Sequence, residues 1–317
     1  MQPMLATRAP SGNALPTGDQ WAYEVKWDGV RVLADTTCGG LRLRARSGRD
    51  VTVTYPELTG MEAVQGAVLD GEVVVMAGGI PSFEALAERM NVRDAARAAR
   101  LAASNPATYI AFDVLELYGV DLTGRTFDER RATLDRLTLP DRVQLSPVYP
   151  DGAELWAVTL EHGLEGVVAK RRTSTYQPGR RSPDWVKAAH RGTRTAVVVG
   201  WRSEGHGRTP GAGSSSRLGA VLLAAPDETG TWRYLGKAGS GLAGRRGEEL
   251  ARTLAPVVRA EPVVDDVPDV DTRGVTWCEP VVRVDVAYLQ RMRGGRLRHP
   301  VVRSLRQESD VDPWEVP

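Results

Sequence analysis

Cysteine and histidine are scarce in this chain. Its 317 residues include two cysteines, Cys38 and Cys278, which stand far apart and form no Cys-x-x-Cys pair. Neither a zinc site nor a disulfide framework is therefore indicated. The histidines lack the spacing of metal ligands, and we expect ordinary structural roles for all four, which are His162, His190, His206 and His299.

Long uncharged apolar runs are also absent. No stretch reaches the length of a membrane span, and no basic segment precedes a signal-like apolar stretch. We expect neither membrane insertion nor secretion, and a cytoplasmic location, associated with the nucleoid, is the default. With 42% apolar residues, a chain of this length can build two modest cores.

The net charge of +1 hides an uneven distribution. Residues 170–194 contain eight basic side chains against one acidic, and residues 283–306 contain seven against one. Acidic residues cluster elsewhere, between Glu261 and Asp271. Such a molecule can hold a polyanion on one side. The alternative is a solvated basic face without a partner.

Hydrophobic patterning predicts a mixed first part of the chain. Alternating apolar runs predict strands, and Ser82 and Asp128 are N-cap candidates for two of three predicted helices. The irregular order of these elements favours an α+β fold over a regular βαβ repeat. The predicted strands are Trp21–Lys26, Gly29–Thr36, Leu41–Arg46, Ala67–Val75, Tyr109–Leu117, Gly166–Lys170 and Trp185–Lys187, and the predicted helices are Ser82–Leu101, Asp128–Leu137 and Ala153–His162.

After His190 the pattern changes to short β-rich runs separated by glycine-rich loops, with one helix near residues 245–254. This pattern is typical of a small closed barrel of about five strands. We expect a first domain over 1–190, a second over 191–317, and a boundary segment at 188–193. Residues 205–216 form a Gly/Ser-rich loop that we expect to be mobile, either as a linker-like insertion or as a phosphate-facing surface. The predicted strands are Thr195–Arg202, Arg217–Ala225, Trp232–Lys237 and Val281–Leu289.

Lys26 is the first candidate for chemistry, because an alternating apolar run delivers it to a turn made by Asp28 and Gly29. A free lysine has a pKa near ~10.4 and is protonated at neutral pH, so a nucleophilic role requires that its pKa be lowered. Burial, neighbouring cations or a bound metal would do so. Read alone, Lys-x-Asp-Gly is equally consistent with a charged hairpin turn.

Further charged or aromatic residues stand at the ends of predicted strands. Arg46 and Arg49 flank a glycine turn, an arrangement that suits phosphate binding. Glu72 follows an Asp-Gly turn, and Phe112 precedes Asp113 at the end of an apolar run. Each fragment alone has a structural explanation, but their order along the chain is informative. The remaining charged candidates are Glu165, Lys170 and Lys187.

This ordered set resembles the covalent nucleotidyltransferases, which comprise ATP-dependent DNA ligases, RNA ligases and mRNA capping enzymes. The chain looks most like bacterial ATP-dependent DNA ligases, especially the ligase domains used in non-homologous end joining. The resemblance covers nearly the whole chain and is strongest from Trp21 to Lys187. It implies an adenylation (nucleotidyltransferase) domain of antiparallel sheets with flanking helices, followed by an OB-fold domain. The residues that carry it are 3–6, 23–31, 83–86 with Arg89, 129–131 and 176–182.

The resemblance implies a role for each candidate. Lys26 would attack the α-phosphate of ATP to give a lysyl-AMP, which then passes to a DNA 5′-phosphate and is displaced by a 3′-hydroxyl. Glu24 would contact adenine, Phe112 would stack on it, and Glu72 would hold the ribose or a metal. The remaining candidates would bind phosphates or the metal. Arg31 and Arg46 would bind phosphates, and Lys170 and Lys187 would neutralise the α-phosphate. Glu165 would bind Mg²⁺ or Mn²⁺.

The last basic tract, Arg298–Arg306, is similar to the family segment that swings over the nucleotide to orient pyrophosphate, with Arg303 and Arg306 as its nucleotide contacts. The second domain would hold duplex DNA through Lys237 and neighbouring cations. Two positions depart from the family pattern: Ala189 replaces a lysine, and Ser309 stands where the tail motif has a lysine. Slower self-adenylation is the expected consequence.

The implied partners are nicked or broken duplex DNA and, at family level, Ku-type end-binding and other repair proteins, with the chain itself a monomer. An RNA ligase or a capping-type nucleotidyltransferase would use the same lysine chemistry on another polymer. A third alternative is a non-catalytic relative of the ligases that keeps only nucleic-acid binding. Covalent labelling by ATP separates this last alternative from the other two.

Overall fold

The computed structural model describes residues 1–10, 14–204, 217–292, 294–306 and 311–314. The predicted mobile loop at 205–216 and the departure at Ser309 lie outside the described residues. The chain divides into two compact units, Met1–His190 and Arg191–Pro317. Among the described residues, no helix is both long enough and apolar enough to span a bilayer.

The first unit contains two sheets. The order of the first sheet is β1-β12-β11-β2-β10, and that of the second is β4-β3-β5-β7-β8, with β6 beside β5 and β9 beside β7. Most pairings are antiparallel, and β1 with β12 and β7 with β9 are parallel. The strands are β1 (Leu5–Arg8), β2 (Trp21–Val25), β3 (Val30–Asp35), β4 (Arg42–Ala45), β5 (Ala67–Ala77), β6 (Ile80–Pro81), β7 (Ala107–Leu117), β8 (Val120–Asp121), β9 (Val143–Leu145), β10 (Val148–Tyr149), β11 (Gly166–Arg171) and β12 (Arg181–Ala189).

Helices flank these sheets. They are α1 (Phe83–Ala87), α2 (Ala95–Ser104), α3 (Phe127–Leu134) and α4 (Gly152–Glu161), and 3-10 turns cover Thr52–Thr54 and Pro56–Ala63. A small apolar cluster includes Leu33, Val68 and Leu115 from the second sheet and Trp185 from the first. Burial of each such side chain stabilises the unit by about 1.5–3 kcal/mol. This packing holds the ends of β2, β11 and β12 beside those of β3, β5 and β7.

The predicted helix Ser82–Leu101 is wrong as one element. Ser82 does cap α1, but that helix ends at Ala87, and α2 begins only after Asp94, which accepts a hydrogen bond from the Arg97 amide at 2.7 Å. Arg89 causes the break because its guanidinium is fully buried and binds Glu57 at 2.7 Å. A continuous helix cannot be inferred from 3.6-residue spacing where a buried ion pair fixes the chain.

The cap predicted at Asp128 is also wrong. Thr126 caps α3, accepting a hydrogen bond from the Glu129 amide, while the Glu129 carboxylate accepts one from the Thr126 amide. This reciprocal capping box satisfies two amides that the helix leaves without partners. Asp128 lies in the first turn, where a negative charge is favourable. It pairs with Arg172 instead, at 3.2 Å.

The second unit is built on one curled sheet of order β15-β14-β13-β17, with both β16 and β20 paired to β17. A parallel bridge between Ser240 and Val301 connects β20 back to the end of β15 and closes the sheet on itself. Its core includes Val198, Leu223 and Leu250. The elements are β13 (Gly192–Ser203), β14 (Leu218–Pro226), β15 (Trp232–Ala238), α5 (Gly244–Leu254), a 3-10 turn (Ala255–Val257), β16 (Val258–Arg259), α6 (Asp269–Thr272), β17 (Thr276–Tyr288), β18 (Gln290–Arg291), β19 (Leu297–Arg298) and β20 (Val301–Arg306).

Candidate active site

A cavity of about 230 Å³ opens between the two sheets of the first unit. Strands of both sheets and the loops that follow them supply its walls. All the site residues predicted in this unit line it, except Glu165, which lies beside it as the partner of Lys26. The lining residues are Leu5, Ala6, Glu24, Val25, Lys26, Trp27, Arg31, Arg46, Glu72, Phe112, Val168, Lys170, Arg181, Trp185 and Lys187.

Lys26 directly follows β2, and its amide donates to the Gly166 carbonyl at 2.8 Å, so its backbone stays in line with the sheet. The turn after it passes close to β5, because a Cβ on Gly29 would lie 2.2 Å from the Val73 carbonyl oxygen. Only glycine allows this approach. The side chain of Lys26 is 21% exposed, and its ammonium forms an ion pair with the Glu165 carboxylate.

Glu72 faces the cavity from β5. Burial raises its pKa to about 8, and the nearby charges of Glu165 and Asp70 add to the effect, while Lys26 and Arg31 oppose it. An added cation would stabilise the charged form of Glu72 and lower its pKa. Glu72 and Glu165 therefore form a two-carboxylate oxygen set beside Lys26, which suits a divalent cation that shares its remaining positions with water and substrate phosphates.

The described residues contain no group of three or more His, Cys, Asp or Glu side chains placed to hold a metal ion. Mg²⁺ usually binds through one or two carboxylates together with phosphates, so Glu72 and Glu165 fit that manner of binding.

A buried ion pair joins two walls of the cavity. The Lys170 ammonium lies 2.8 Å from Glu24 Oε1, and both side chains are at most 3% exposed. Burial raises the pKa of Glu24 and lowers that of Lys170, and each partner's charge opposes the shift of the other. Lys170 also donates to the Phe112 carbonyl at 3.2 Å.

Two aromatic rings surround the cations at this wall. The Lys170 ammonium lies 4.5 Å from the ring centres of both Phe112 and Trp185, and the Arg31 guanidinium lies within 5.4 Å of both. Asp113, the neighbour of Phe112, is fully buried in a pair with Arg130 at 2.7 Å. Successive residues of a strand point to opposite faces, so Phe112 contributes to the cavity and Asp113 does not.

Arg31 has a partner that the sequence did not indicate. Its guanidinium binds Asp70 through two hydrogen bonds of 2.9 and 2.6 Å, and Tyr176 donates to the same carboxylate at 2.6 Å. The role of Asp70 was hidden because Asp-Gly is a common turn signal. Tyr176 stood among the motif residues that carry the resemblance, and it had no predicted role.

Lys187 and Arg181 approach the cavity from β12, and Arg46 approaches from the turn after β4. Burial, together with Lys26, Arg181 and Arg8, lowers the pKa of Lys187. Arg181 was not among the predicted site residues, although the same motif contained it. The indole N–H of Trp185 is buried and has no hydrogen-bond partner within the described part of the chain, so this wall keeps a free donor.

The chain contains only four lysines, Lys26, Lys170, Lys187 and Lys237, among 41 lysine and arginine residues. The first three line this single cavity. Arginine remains charged at any physiological pH, whereas lysine has a pKa that burial can lower. The cavity therefore collects most of the amines in the protein that can become nucleophiles.

Arg303 and Arg306 lie in the second unit on β20. Arg306 donates to Asp285 at 2.7 Å, and Arg303 is exposed. Their contact with a nucleotide stays a prediction. Lys237, also in the second unit, pairs with Asp271 at 2.5 Å.

Comparisons with known proteins agree on a family. The model of the ATP dependent DNA ligase domain matches residues 3–188, and that of the ATP dependent DNA ligase C terminal region matches residues 214–309. The multifunctional non-homologous end joining DNA repair protein LigD of Mycobacterium tuberculosis is 38% identical over 322 residues, which cover 100% of this chain and 39% of LigD. The chain thus spans about two fifths of the length of the LigD relatives it matches.

Shorter relatives match over more of their length. DNA ligase C of Mycobacterium tuberculosis is 34% identical over 271 residues, covering 81% of this chain and 72% of that ligase. Among solved structures, the ligase domain of M. tuberculosis LigD has a TM-score of 0.53 and 36% identity, covering 96% of this chain and 94% of that domain. A mycobacterial DNA ligase D complexed with ATP and MES has a TM-score of 0.55 and 36% identity, and the match covers 98% of this chain and 96% of that chain.

The predicted fold class is confirmed: a nucleotidyltransferase domain with antiparallel sheets precedes an OB-fold-like region. The resemblance stated from the motifs is confirmed as well, since one family model alone covers more than half of the chain. This chain belongs to the ATP-dependent DNA ligase family.

Proposed function

We propose that the chain seals breaks between a 3′-hydroxyl and a 5′-phosphate in duplex DNA, using ATP and a lysyl-AMP intermediate. Residues 1–190 would carry out adenylation, and residues 191–317 would form the OB-fold domain that holds DNA. The observation that carries this proposal is the placement of Lys26, whose ammonium meets the Glu165 carboxylate beside a cavity with two further lysines.

In the first step the Lys26 amine attacks the α-phosphorus of ATP. An N–P bond forms, the bond to the bridging oxygen breaks, and pyrophosphate leaves with that electron pair. Lys26 must lose a proton before it attacks, and the Glu165 carboxylate in contact with it is placed to accept one.

The other cavity residues bind and orient the nucleotide. Glu24 accepts from the adenine amino group, Phe112 stacks on the base, and Glu72 holds the ribose or a metal. Arg31, Arg46, Lys170 and Lys187 are assigned to the phosphates, where positive charge would stabilise the transferring group.

Mg²⁺ or Mn²⁺ would bind to Glu72 and Glu165. When bound, such an ion neutralises phosphate charge and favours the unprotonated amine of the adjacent lysine. The chain's own residues supply the two carboxylates, and the phosphates of ATP supply the remaining anionic oxygens.

Two further transfers would complete the reaction. AMP passes from Lys26 to the 5′-phosphate of the break, and the 3′-hydroxyl then attacks that phosphate and expels AMP. Arg303 and Arg306 are assigned to the nucleotide in the first step. Because several relatives are named as non-homologous end joining proteins, we place this activity in break repair on nucleoid DNA, with Ku-type proteins as partners and the chain as a monomer.

The test is self-adenylation. Protein incubated with α-labelled ATP and Mg²⁺ or Mn²⁺ should gain one acid-labile label, and Lys26→Arg should gain none because its guanidinium cannot be deprotonated. With only four lysines in the chain, peptide mapping assigns the label without ambiguity. Label on the Lys237 peptide, or an equal label in the variant, contradicts the proposal. Nicked duplexes with DNA or RNA strands then define the polymer.

A further inference from the structure

His190 is the last residue of the first unit, and its ring is attached to helix α4. The ring lies against that of Trp156, with centres 3.8 Å apart, and Nε2 is 2.9 Å from the Thr159 hydroxyl oxygen. Thr159 donates its own hydroxyl hydrogen to the Trp156 carbonyl at 3.0 Å, so Nε2 of His190 must be the donor in the other bond. Because Thr159 is fully buried, this attachment is part of the packed structure.

The attachment lies behind the cavity, on the opposite face of the first sheet. Lys187 lines the cavity from β12. Residues three apart on an extended chain point to opposite faces, so His190 is directed away from the cavity and toward α4. On that face Leu155 of α4 shares an apolar cluster with Val167 and Val186. Any effect of His190 on the reaction must therefore pass through another residue.

Glu165 is the residue that connects His190 to the reaction. Its carbonyl accepts a hydrogen bond from the His190 amide at 2.9 Å, and its carboxylate meets the Lys26 ammonium. The next carbonyl, that of Gly166, accepts from the Lys26 amide at 2.8 Å. Two consecutive carbonyls are thus held from the two strands that flank β11. Because Glu165 stands just before β11, these two bonds help to fix where its side chain starts.

The position of His190 in the chain makes this attachment important. The next residue, Arg191, already belongs to the second unit. Without an anchor, a displacement of the chain at that point would reach the Glu165 backbone through the hydrogen bond from the His190 amide. With the anchor, such a displacement would have to break the bond to Thr159 and the contact with Trp156.

Small displacements of Glu165 matter, because a proton acceptor must stay within hydrogen-bond reach of its donor. A shift of about 1 Å in a reacting group can lower a rate by up to about a hundredfold. We propose that His190 is a positioning residue for adenylation, which holds the Glu165 carboxylate against Lys26 by fixing the end of the first unit to α4.

This inference rests on the proposed function, in which Glu165 accepts a proton from Lys26. It adds a residue behind the sheet for which the sequence predicts only an ordinary structural role. The opposing account is that His190 merely stabilises the first unit. The two accounts differ in a protein that lacks the Glu165 carboxylate, because positioning then has nothing to act on, whereas a loss of general stability would still slow the reaction.

The experiment measures single-turnover self-adenylation of wild type and His190→Ala over a range of α-labelled ATP concentrations with Mg²⁺. We expect the rate at saturating ATP to fall about tenfold in the variant. The ATP concentration that gives half the maximal rate should not change, because the residues assigned to the nucleotide line the cavity on the other face. An unchanged maximal rate, or a loss that appears only as weaker ATP binding, overturns the inference.

Glu165→Gln provides the second background for the same measurement. If His190 acts through the Glu165 carboxylate, His190→Ala should slow adenylation by no more than about twofold in that background. A further tenfold loss in the double variant would mean that the two residues act independently, and it overturns the positioning role. If Glu165→Gln forms no adenylate, the division of the effect between maximal rate and ATP dependence decides.

His162→Ala is the matched control, because it removes an exposed histidine at the carboxyl end of the same helix. It should adenylate at the wild-type rate, and an equal loss there means a general disturbance of α4 and overturns the assignment. His190→Phe keeps a ring against Trp156 without the bond to Thr159, so its rate should lie between those of wild type and His190→Ala. If His190→Ala does not fold, His190→Phe decides, since an unchanged maximal rate in that variant excludes the role.

The wild type keeps the two proposals separate. Absence of the lysyl-AMP label in the wild type contradicts the proposed function. A normal label in the wild type, together with an equal maximal rate in His190→Ala, contradicts the positioning role alone.

Discussion

Lys170→Met removes one partner of the buried pair between Glu24 and Lys170, and its effect should depend strongly on pH. Both side chains are at most 3% exposed and their charged atoms are 2.8 Å apart. Removal of one partner from such a pair leaves an uncompensated buried charge, which costs about 3–5 kcal/mol. The lost contacts of the ammonium with two aromatic rings add to this cost.

The pH dependence follows from Glu24. Burial raises its pKa above the ordinary value of 4.5, and loss of Lys170 removes the charge that opposes this shift. A carboxyl whose folded pKa is raised binds its proton more tightly in the folded state. The variant should therefore be near wild-type stability below pH 4.5 and lose stability as the pH rises toward its raised pKa.

Hydrogen exchange of the amides in β2 and β11 measures this effect where it arises. A loss of about 3 kcal/mol corresponds to exchange roughly a hundredfold faster near pH 8, with the amides of β13 and β14 as an internal reference. Arg171→Met is the matched control, since it breaks the exposed Arg171–Asp184 pair on the same strand. Pairs of that kind are worth no more than about 1 kcal/mol.

The double variant Glu24→Gln with Lys170→Met completes the test, because it removes both charges of this buried pair. It should recover most of the stability and show no pH dependence from this site. Exchange in Lys170→Met that equals the wild type at pH 8 would refute the reasoning. So would a double variant as unstable as the single one.

Three other substitutions have defined outcomes. In metal-free protein, burial raises the pKa of Glu72 to about 8. The folded state should therefore lose up to a few kcal/mol of stability as the pH rises from 4.5 through 8. Melting curves of Glu72→Gln should not show this dependence on pH. Gly71→Ala would place a Cβ 2.4 Å from the Tyr109 ring and should destabilise the protein by about 1–3 kcal/mol in urea, whereas Gly124→Ala meets no atom within 4 Å and should not. Thr126→Ala should cost about 1 kcal/mol of stability in the same urea titration, and an unchanged midpoint would contradict the capping role.

Strand patterning located the site because the predicted residues stand in or beside strands. Lys26 follows β2, Glu165 precedes β11, and Phe112 lies on β7. Two-residue periodicity detects such strands, and mixed strands and helices indicate the α+β class. The predicted strands are all present, but β12 and β17 start earlier than predicted, and strands such as β1, β10 and β20 were not predicted.

Pairing between distant residues was not predictable in the same way. Glu24 and Lys170 meet because Val168 lies opposite Glu24 and Lys170 is two residues further along β11, a diagonal contact on one face. That contact depends on the register of two strands separated by more than a hundred residues. Arg31 and Asp70 likewise meet through the register of β3 against β5. Sequence spacing contains no information on either register.

The distribution of lysine and arginine explains why the cavity is chemically distinct from the rest of the molecule. Arginine serves in permanent ion pairs such as those with Glu57, Asp70 and Asp113, where a fixed charge and a planar donor fork suit a carboxylate. Lysine stands where the charge is adjustable, since burial lowers the pKa of Lys170 and Lys187, and the proposed mechanism requires Lys26 to lose a proton.

An exchange of lysine for arginine at Lys26 therefore tests chemistry rather than charge. If Lys26→Arg keeps the fold and the affinity for ATP but forms no adenylate, the site needs an amine that can be deprotonated, and electrostatic attraction alone does not account for it. The same exchange at Lys187 keeps a cation near the phosphates. It should lower the adenylation rate and not abolish it, because in the proposed mechanism Lys26 makes the bond to phosphorus.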